Sequence, residues 1–462
     1  MSHRIETDSL GDVLLGEKAL WGSNTARGVD NFSGMGLPIS SYAHLMRAMA
    51  LVKRAAAMAN REVGALSPDV ADAIIAACDE VAAGEHSQQF PTYLLEGSGG
   101  TSINMNFNEV IANRAGQILG DAPGVYARVN PNDHVNRSQS TNDALPTAIK
   151  LACVLAHPSV ATSVESLIHA LRTKASETQD MLRAGRTCMQ AAQPMTWGQY
   201  FSGHANALTR ALNALHSAVD AMRIVPMGGT AIGTGLGAAP RYRAAIGAAL
   251  TQAFGTQISL AEDPFDAMHS ADGFVRLSAE LRNLSATMAK LAADLVILGS
   301  DGASGLGELR LPAVQPGSSI MAGKVNPVIP MMVQQVWMRV HGHDAAIAIA
   351  AQSGQMEINH FEPVMALSLF EQMELISAAA NGFAARCIAG INVDEDRSYA
   401  NLAQSFGVST VFLQELGYKR VAAMAKKATS EGRSLADIAV DEGHLTQADL
   451  RAVLVRATVT AH

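Results

Sequence analysis

The residues best suited to chemistry stand in the segment GSSIMAGKVNP at positions 317–327. This segment places Ser318, Ser319, Lys324 and Asn326 between a Gly/Pro-rich stretch and an apolar run of helical character. In such a loop a serine hydroxyl can act as a base or nucleophile, while backbone N–H groups, Lys324 and Asn326 face an anion. Because these groups stabilise developing negative charge, the segment indicates chemistry on a carboxylate.

Apolar stripes with helical spacing predict the elements that must position this loop. The longest stripe lies in a proline-free stretch and predicts one unbroken helix over residues 266–298, roughly 50 Å long at about 1.5 Å per residue. Shorter stripes lie at 201–222 and 160–171, and several such helices together predict a helix bundle. The longest stripe consists of Phe274, Leu277, Leu281, Leu284, Met288, Leu291, Leu295 and Leu298.

The chain is predicted to be all-α, with three domains. A mostly helical N-terminal domain covers residues 1–140, the central long-helix bundle covers 141–395, and a small helical domain covers 396–462. In the last domain, Ser434 and Thr446 each precede an acid by three residues, a pattern in which the hydroxyl caps a helix N-terminus. Because the longest helix is apolar on more than one side, we expect the bundle to form an oligomer.

Composition and charge exclude several classes of protein. The 462 residues carry a net charge of −8 without a run of Lys or Arg, so the chain lacks the basic surface that binds nucleic acid or an anionic membrane. Its four cysteines are scattered, without the spacing of a zinc site or a disulfide framework. The N-terminus carries no apolar leader segment. The simplest prediction is a cytoplasmic enzyme with free thiols, no metal, and no nucleic-acid or membrane partner.

Four blocks of the sequence resemble the aspartase/fumarase superfamily. GSSIMAGKVNP is similar to the family signature GSSxMxxKxNP, and the segments at 97–113, 130–143 and 228–236 look like further family blocks in family order. The resemblance spans nearly the whole chain and implies a homotetramer of mostly helical subunits, with active sites built from segments of three subunits. Members eliminate a group β to a carboxylate: a base removes the C3 proton, an aci-carboxylate carbanion forms, and ammonia, water or a larger amine leaves to give fumarate. The resemblance thus implies a small amino or dicarboxylic acid as substrate and no cofactor.

The resemblance also assigns roles to single residues. Ser318 matches the family's catalytic base, and Lys324 and Asn326 match groups that hold and polarise a substrate carboxylate. A serine hydroxyl is a weak base, so loop N–H groups and the Lys324 charge would have to stabilise its alkoxide. The other residues implied to bind substrate are Thr101, Ser140, Thr141, Asn142, Thr187 and Ser319.

Within the superfamily, the Ser-Thr-Asn block at 140–142 resembles the aspartase form, whereas class II fumarases more often carry Ser-Ser-Asn. The implied function is reversible deamination of L-aspartate to fumarate and ammonia by a carbon–nitrogen lyase. Three departures leave alternatives open: Cys188 stands where His or Gln is usual, Met331 where Glu is usual, and His360 where an aliphatic residue is common. The alternatives are a sister lyase acting on a different amino or amine-substituted acid, then a class II fumarase, then a non-catalytic structural homologue.

Overall fold

Helix-forming residues dominate the chain, and helices dominate its fold. The structure, a computed structural model, describes residues 3–459. Helices hold 63% of the residues, and the strands in the described part of the chain form four two-stranded sheets. Alanine, the best helix former, is abundant, and many of the alanines lie in the buried core. The predicted all-α class is confirmed.

The first of two compact units comprises the described residues up to Val160, together with Ala214–Arg282 and Arg339–Leu375. This unit contains six helices and two strand pairs of its own, together with segments of the longer helices. Its strands pair His3–Asp8 with Gly11–Gly16 and Ile224–Val225 with Ser259–Leu260. Its own helices are Ser23–Phe32, Ala43–Glu62, Pro68–Ala82, Thr101–Leu119, Tyr242–Phe254 and Pro264–His269. Single helical turns lie at Ile39–Ser41, Ser87–Gln89 and Pro131–Val135.

The second unit comprises Ala161–Asn213, Asn283–Met338 and the described residues from Ile376 onward. One hydrophobic core joins a β-hairpin to the C-terminal helices, with Leu182 and Phe412 both buried in it. The hairpin pairs Leu182–Thr187 with Gln190–Thr196, and a second strand pair joins Leu309–Arg310 to Asn392–Val393. The unit's own helices are Glu395–Ala403, Ser409–Leu416, Tyr418–Glu431, Leu435–Asp441 and Gln447–Arg456. Single helical turns lie at Ile388–Gly390 and Phe406–Val408.

Five long helices have segments in both units, since each unit boundary falls inside one of them. The longest apolar stripe is buried as predicted, because none of its residues is more than 5% exposed. Polar side chains also join these helices. In the first unit Ser278 Oγ donates to Asp344 Oδ1 at 2.7 Å, and in the second Asn381 Nδ2 donates to Ser163 Oγ at 2.9 Å. The five helices are Thr141–Glu177, Trp197–Ala221, Asp272–Leu298, Val328–Gln352 and Glu362–Arg386.

The prediction of one unbroken helix over residues 266–298 is wrong at its N-terminal end. A short helix, Pro264–His269, is followed by a separate helix, Asp272–Leu298, of 27 residues. Between them Ser270 has an extended backbone with ψ 126°, and its hydroxyl donates to Asp272 Oδ1 at 3.0 Å. An extended residue cannot continue the helical ladder, so the first helix ends before Ser270 and a second helix begins at Asp272.

The helix Thr141–Glu177 is, within residues 3–459, the one helix whose length and hydropathy would suffice to cross a membrane. However, 67% of its most apolar window is buried inside the fold. Long core helices of water-exposed proteins meet the same criteria of length and composition. Its burial therefore favours a core helix.

The helix caps predicted near the C-terminus are confirmed. Ser434 Oγ accepts a hydrogen bond from the N–H of Asp437 at 3.0 Å. Thr446 and Asp449 form a reciprocal capping box, in which each side chain bonds to the backbone N–H of the other residue. The three-domain division, the cytoplasmic location and the homotetramer stay predictions.

We expect Thr446→Ala to lower the free energy of unfolding by about 1 kcal/mol, because alanine cannot accept the first-turn N–H bond. Urea denaturation followed by circular dichroism measures the change. Thr429→Ala is the matched control, since Thr429 lies exposed inside the helix Tyr418–Glu431 and alanine is favourable there. An equal loss in both variants would contradict the capping role.

A second expectation concerns acid stability and the contact between His157 and His216. His157 Nε2 lies 2.9 Å from His216 Nδ1, and burial, followed by the charge of His216, lowers the pKa of His157 to about 4. In the unfolded chain the imidazole of His157 takes up a proton near pH 6.5, whereas in the folded chain it does so only near pH 4. Between these two pH values the unfolded chain therefore binds more protons than the folded chain. The contribution of His157 to the free energy of unfolding thus decreases as the pH falls across that window.

Between pH 7 and pH 4 the free energy of unfolding should decrease by about 1–3 kcal/mol less in His157→Gln than in the wild type. Urea titrations of the variant and the wild type at both pH values measure this difference. His169→Gln is the control because His169 is exposed. If both variants lost stability with acid as steeply as the wild type, the assignment to His157 would be refuted.

Candidate active site

The segment that carries Ser318 is a loop between the strand Leu309–Arg310 and the helix Val328–Gln352. Its two arms are tied together: the N–H of Gly317 donates to the carbonyl of Lys324, and Asn326 Nδ2 donates to the carbonyl of Gly317, both at 2.7 Å. These bonds close the segment into a loop that presents its central residues outward. Asn326 is thus a structural clamp in this chain as well as a predicted substrate ligand.

Ser318 lies where two backbone N–H groups converge on its hydroxyl. Ser318 Oγ accepts from the N–H of Ile320 at 3.2 Å and from the N–H of Met321 at 3.0 Å. Two such donors stabilise an alkoxide, which is what the base role requires. Lys324 is exposed, and no ion pair within residues 3–459 uses it. Its ammonium group can therefore receive a carboxylate.

The close approach at Gly317 explains why a glycine stands there. A Cβ atom at Gly317 would lie 2.7 Å from the carbonyl oxygen of Lys324 and 2.8 Å from the backbone nitrogen of Asn326. Both neighbours are backbone atoms, so neither can move without opening the loop. Any side chain at this position would displace the two clamping bonds.

We expect Gly317→Ala to lower kcat/KM about 100-fold, since a misplacement of roughly 1 Å in a catalytic group has effects of this size. Steady-state turnover and thermal unfolding measured together separate a loop effect from a folding defect. Gly342→Ala is the control, because nothing lies within 4 Å of its added Cβ. Wild-type turnover in Gly317→Ala would contradict the proposed clamp.

Thr187, the remaining predicted residue of the second unit, ends the first strand of the hairpin. It pairs with Gln190 across a two-residue turn in which Cys188 and Met189 both have positive φ, at 51° and 63°. Arg186, the residue before it, forms an ion pair with the buried carboxylate of Glu308. This buried pair anchors the strand, and Thr187 lies exposed at its end.

Thr101 and Thr141 belong to the first unit, where Gly100, the neighbour of Thr101, contacts Thr141. Thr101 is the first residue of its helix and follows Gly100, which has a φ of 88°. A Cβ atom at Gly100 would overlap the Leu145 side chain and lie 3.4 Å from Thr141 Cγ2. The turn before Thr101 therefore packs directly on the start of the helix that carries Thr141.

The block at 140–142 is held by the buried carboxylate of Asp143. Asp143 accepts from the N–H of Ser140 at 2.9 Å and from two N–H groups of the 228–230 turn at 3.0 and 2.9 Å. Burial raises the pKa of Asp143 to about 6 despite these bonds. Asn142 Nδ2 donates to the carbonyl of Ala231 at 2.8 Å. Three of the sequence blocks thus meet in the first unit.

Sequence reasoning missed a buried lysine behind this block. Lys53 is fully buried, and its ammonium donates to Asn136 Oδ1 at 3.1 Å and to Gln139 Oε1 at 2.9 Å. Asn104 donates both to Asn136 Oδ1 at 3.2 Å and to Thr141 Oγ1 at 3.1 Å, so it links the amine network to Thr141. Burial lowers the pKa of Lys53 to about 7. The buried amine of Lys53 is thus linked through Asn136 and Asn104 to a predicted substrate residue, Thr141.

One group of described side chains is close enough to share a cation: Glu80, Glu85 and His86. Glu80 already accepts from Arg114 at 2.6 and 2.8 Å and lies 2.8 Å from His86 Nε2. The Arg114 guanidinium, with help from His86, lowers the pKa of Glu80 to about 2. We interpret this cluster as an ion-pair network, since the arginine neutralises the acid that a metal would need.

The predicted site residues therefore fall into two sets, one in each unit. The first set contains Thr101 and the 140–142 block, joined through Gly100 and Asn104. The second set places four predicted residues in the 317–327 loop and Thr187 on the hairpin. The first set offers hydroxyl and amide groups, and the second set offers hydroxyl and amide groups, backbone N–H donors and the Lys324 ammonium. Such groups can bind carboxylates and stabilise a carbanion adjacent to one.

Comparison with known proteins agrees with this chemistry. The family model described as Lyase matches residues 16–342, and the one described as Fumarase C C-terminus matches 409–461. An aspartate ammonia-lyase from Pseudomonas canavaninivorans is 40% identical over 454 residues, which are 98% of this chain and 96% of that protein. A class II fumarate hydratase from Thermosynechococcus vestitus is 40% identical over 446 residues, which are 96% and 95% of the two chains.

A solved structure shows the same relationship in three dimensions. The fumarate lyase:delta crystallin from Brucella melitensis bound to cobalt superposes with a TM-score of 0.96 at 40% sequence identity. The match covers 99% of this chain and 100% of that one. With the family-model match and the signature loop, these findings establish that the chain belongs to the aspartase/fumarase superfamily of lyases.

Proposed function

We propose that the protein is an ammonia-lyase that converts L-aspartate reversibly to fumarate and ammonia. Relatives named aspartate ammonia-lyase and class II fumarate hydratase are equally similar to it, so the choice depends on single residues. The observation that carries the proposal is the Ser-Thr-Asn block at 140–142, which resembles the aspartase form, whereas class II fumarases more often carry Ser-Ser-Asn. Cys188 and Met331 stand where fumarases use a His–Glu pair, and they supply neither the imidazole nor the carboxylate of that pair. The hydration of fumarate, the reaction of a class II fumarase, therefore has weaker support than the deamination of aspartate.

In the proposed reaction, the Ser318 alkoxide takes the C3 proton and becomes a hydroxyl. The C–H electron pair passes through the aci-carboxylate carbanion, whose charge Lys324 and Asn326 stabilise, and forms the C2–C3 double bond. The C2–N bond breaks with its electrons leaving on nitrogen, so the substrate's ammonium group departs as NH₃. The N–H groups of Ile320 and Met321 support the alkoxide before proton transfer. These bond changes balance without a cofactor.

The test is a direct comparison of substrates with purified protein. We expect fumarate, seen by ultraviolet absorbance, and an equal amount of ammonia from L-aspartate, with a far smaller rate from L-malate. Ammonium and fumarate together should return aspartate. Efficient fumarate formation from L-malate, without release of ammonia from aspartate, would replace this proposal with a fumarase.

A sister lyase that acts on a different amine-substituted acid is the second candidate, and His360 favours it. A Cβ atom at Gly99 would lie 3.3 Å from His360 Cβ, so the base of the His360 side chain borders the turn that leads to Thr101. A half-buried histidine there can contact a substituent that aspartate lacks. A panel of N-substituted aspartates tests this candidate, which would stand if one of them had a higher kcat/KM than aspartate.

We further propose that the protein is a homotetramer with active sites shared among subunits. Light scattering should give four chains, and a monomer would refute the assembly. A subunit-mixing experiment tests the sharing. Ser318→Ala and Thr141→Val are each expected to be inactive, and hybrids of the two should regain activity because some sites draw both intact residues from different chains. Hybrids without activity would show that one chain supplies both residues.

A further inference from the structure

A cavity of about 300 Å³ lies in the second unit, outside the loop that carries Ser318. Its walls are the hairpin, the N-terminal part of the helix Trp197–Ala221 and the C-terminal part of the helix Asp272–Leu298. The volume is at the lower end of the range of about 300–1,000 Å³ for small-molecule sites. No residue assigned above to catalysis or substrate binding lines it.

The feature that marks this cavity is the guanidinium of Arg183. Arg183 lies inside the hairpin and is only 4% exposed. Its Nε makes one long bond, 3.4 Å, to the carbonyl of Ala184, while its Nη1 is buried without a hydrogen-bond partner among the described residues. The guanidinium lies 4.1 Å from the Trp197 ring centre and 4.6 Å from that of Tyr200. It is thus a buried cation that contacts two aromatic rings and forms no ion pair with an acid in the described part of the chain.

The other charged groups at the cavity neutralise one another. Arg186 is paired with the buried carboxylate of Glu308, and Lys290 is paired with Asp294. His204 faces the cavity too, and burial lowers its pKa to about 4, so its imidazole is neutral at pH 7. Arg183 therefore leaves one uncompensated positive charge. An isolated buried charge is costly, and a bound anion would offset that cost.

The other residues that line the cavity indicate the size and polarity of the rest of the bound anion. Five of the eleven lining side chains are apolar, among them Met195, Ile297 and Leu306. A phosphate or a dicarboxylate would place further charge against these side chains and find no second free cation. A single carboxylate suits the planar N–H fork of an arginine, and an apolar body suits the remaining surface.

We propose that this cavity binds a small organic monocarboxylate, with its carboxylate on the Arg183 guanidinium and its apolar body against Met195, Ile297 and Leu306. The site is separate from the substrate site proposed above, and its occupancy does not depend on which lyase reaction the protein catalyses. Since Arg183 and Thr187 lie on the same strand, the occupant contacts the element that presents Thr187.

Isothermal titration calorimetry with benzoate tests the proposal. The titration uses the full-length Lys324→Ala variant, in which carboxylate binding at the substrate site is weakened. We expect one benzoate per chain, and at least tenfold weaker binding of succinate and of inorganic phosphate. Binding of either anion as tight as that of benzoate would overturn the monocarboxylate assignment, and absence of a saturable benzoate signal would overturn the site.

Two further substitutions, each combined with Lys324→Ala, locate the binding. Arg183→Met keeps apolar contact with Trp197 and removes the charge, so benzoate should bind roughly 10- to 100-fold more weakly, the effect of losing a charged hydrogen bond. Ile297→Trp fills the cavity from the helix side while leaving Arg183 in place, and it should abolish binding by excluding benzoate. It decides the question if Arg183→Met does not fold. Unchanged affinity in the folded variants would place benzoate elsewhere.

Discussion

Replacing Ser318 by alanine is expected to lower kcat for the elimination about 10²- to 10⁴-fold, the usual contribution of a positioned general base. The physical reason is local to the loop. Two backbone N–H groups, those of Ile320 and Met321, point at Ser318 Oγ and can stabilise its alkoxide. Alanine leaves those donors in place but removes the only atom that they prepare for proton abstraction.

The measurement is kcat for release of fumarate, together with thermal unfolding and the mass of the assembled protein. The thermal unfolding temperature and the assembled mass of Ser318→Ala should match those of the wild type, because Ser318 lies in a loop outside the hydrophobic core. Ser304→Ala is the matched control, since Ser304 is an exposed loop serine of the same unit. A kcat within tenfold of the wild type in Ser318→Ala would assign the base to another residue.

The second large effect is expected from Lys324→Ala, which should lower kcat/KM about 10²- to 10³-fold, the cost of removing one preorganised donor to a developing oxyanion. Lys324 is exposed and takes part in no ion pair among residues 3–459, so its charge is available to a substrate. Its backbone carbonyl also accepts the loop-closing bond from Gly317, and alanine preserves that bond. The variant therefore removes the charge without opening the loop.

We expect both a higher KM and a lower kcat in Lys324→Ala, because the ammonium holds the carboxylate in the ground state and stabilises the carbanion in the transition state. Lys324→Arg should recover part of the loss in KM, since the charge is restored on a different geometry. Lys426→Ala is the control, an exposed lysine on a C-terminal helix. Unchanged kcat and KM in Lys324→Ala would remove it from the site.

The fold was largely predictable because helix periodicity is local. The spacing of the stripe from Phe274 to Leu298 required a buried helix face, and each of those residues is at most 5% exposed. The caps at Ser434 and Thr446 were predictable for the same reason, since the bonds span three residues. The break at Ser270 was missed because it lies in the extended backbone of a single residue, which the spacing of apolar residues does not reveal.

The buried networks had a weaker signal in the sequence. Asn104 and Asn108, four residues apart on a helix, share a face, and two amides on a buried face require polar partners. That pattern indicates a network, but it does not identify Lys53 or Asn136, which are distant in sequence. The unpaired guanidinium of Arg183 left no trace in the sequence, because an arginine in a strand is ordinarily exposed or paired.

The sequence by itself determined the kinds of groups that this protein brings to a carboxylate: a serine, a lysine and amides in one short loop, with helices to support them. Side-chain chemistry is a property of each residue, and helical periodicity is a property of near neighbours, so both are legible along the chain. The tertiary structure alone decided which acid neutralises Arg186, and that Arg183 is buried without an acid paired to it among residues 3–459. Those outcomes depend on distances between residues far apart in the chain, and such distances are set only when the elements pack.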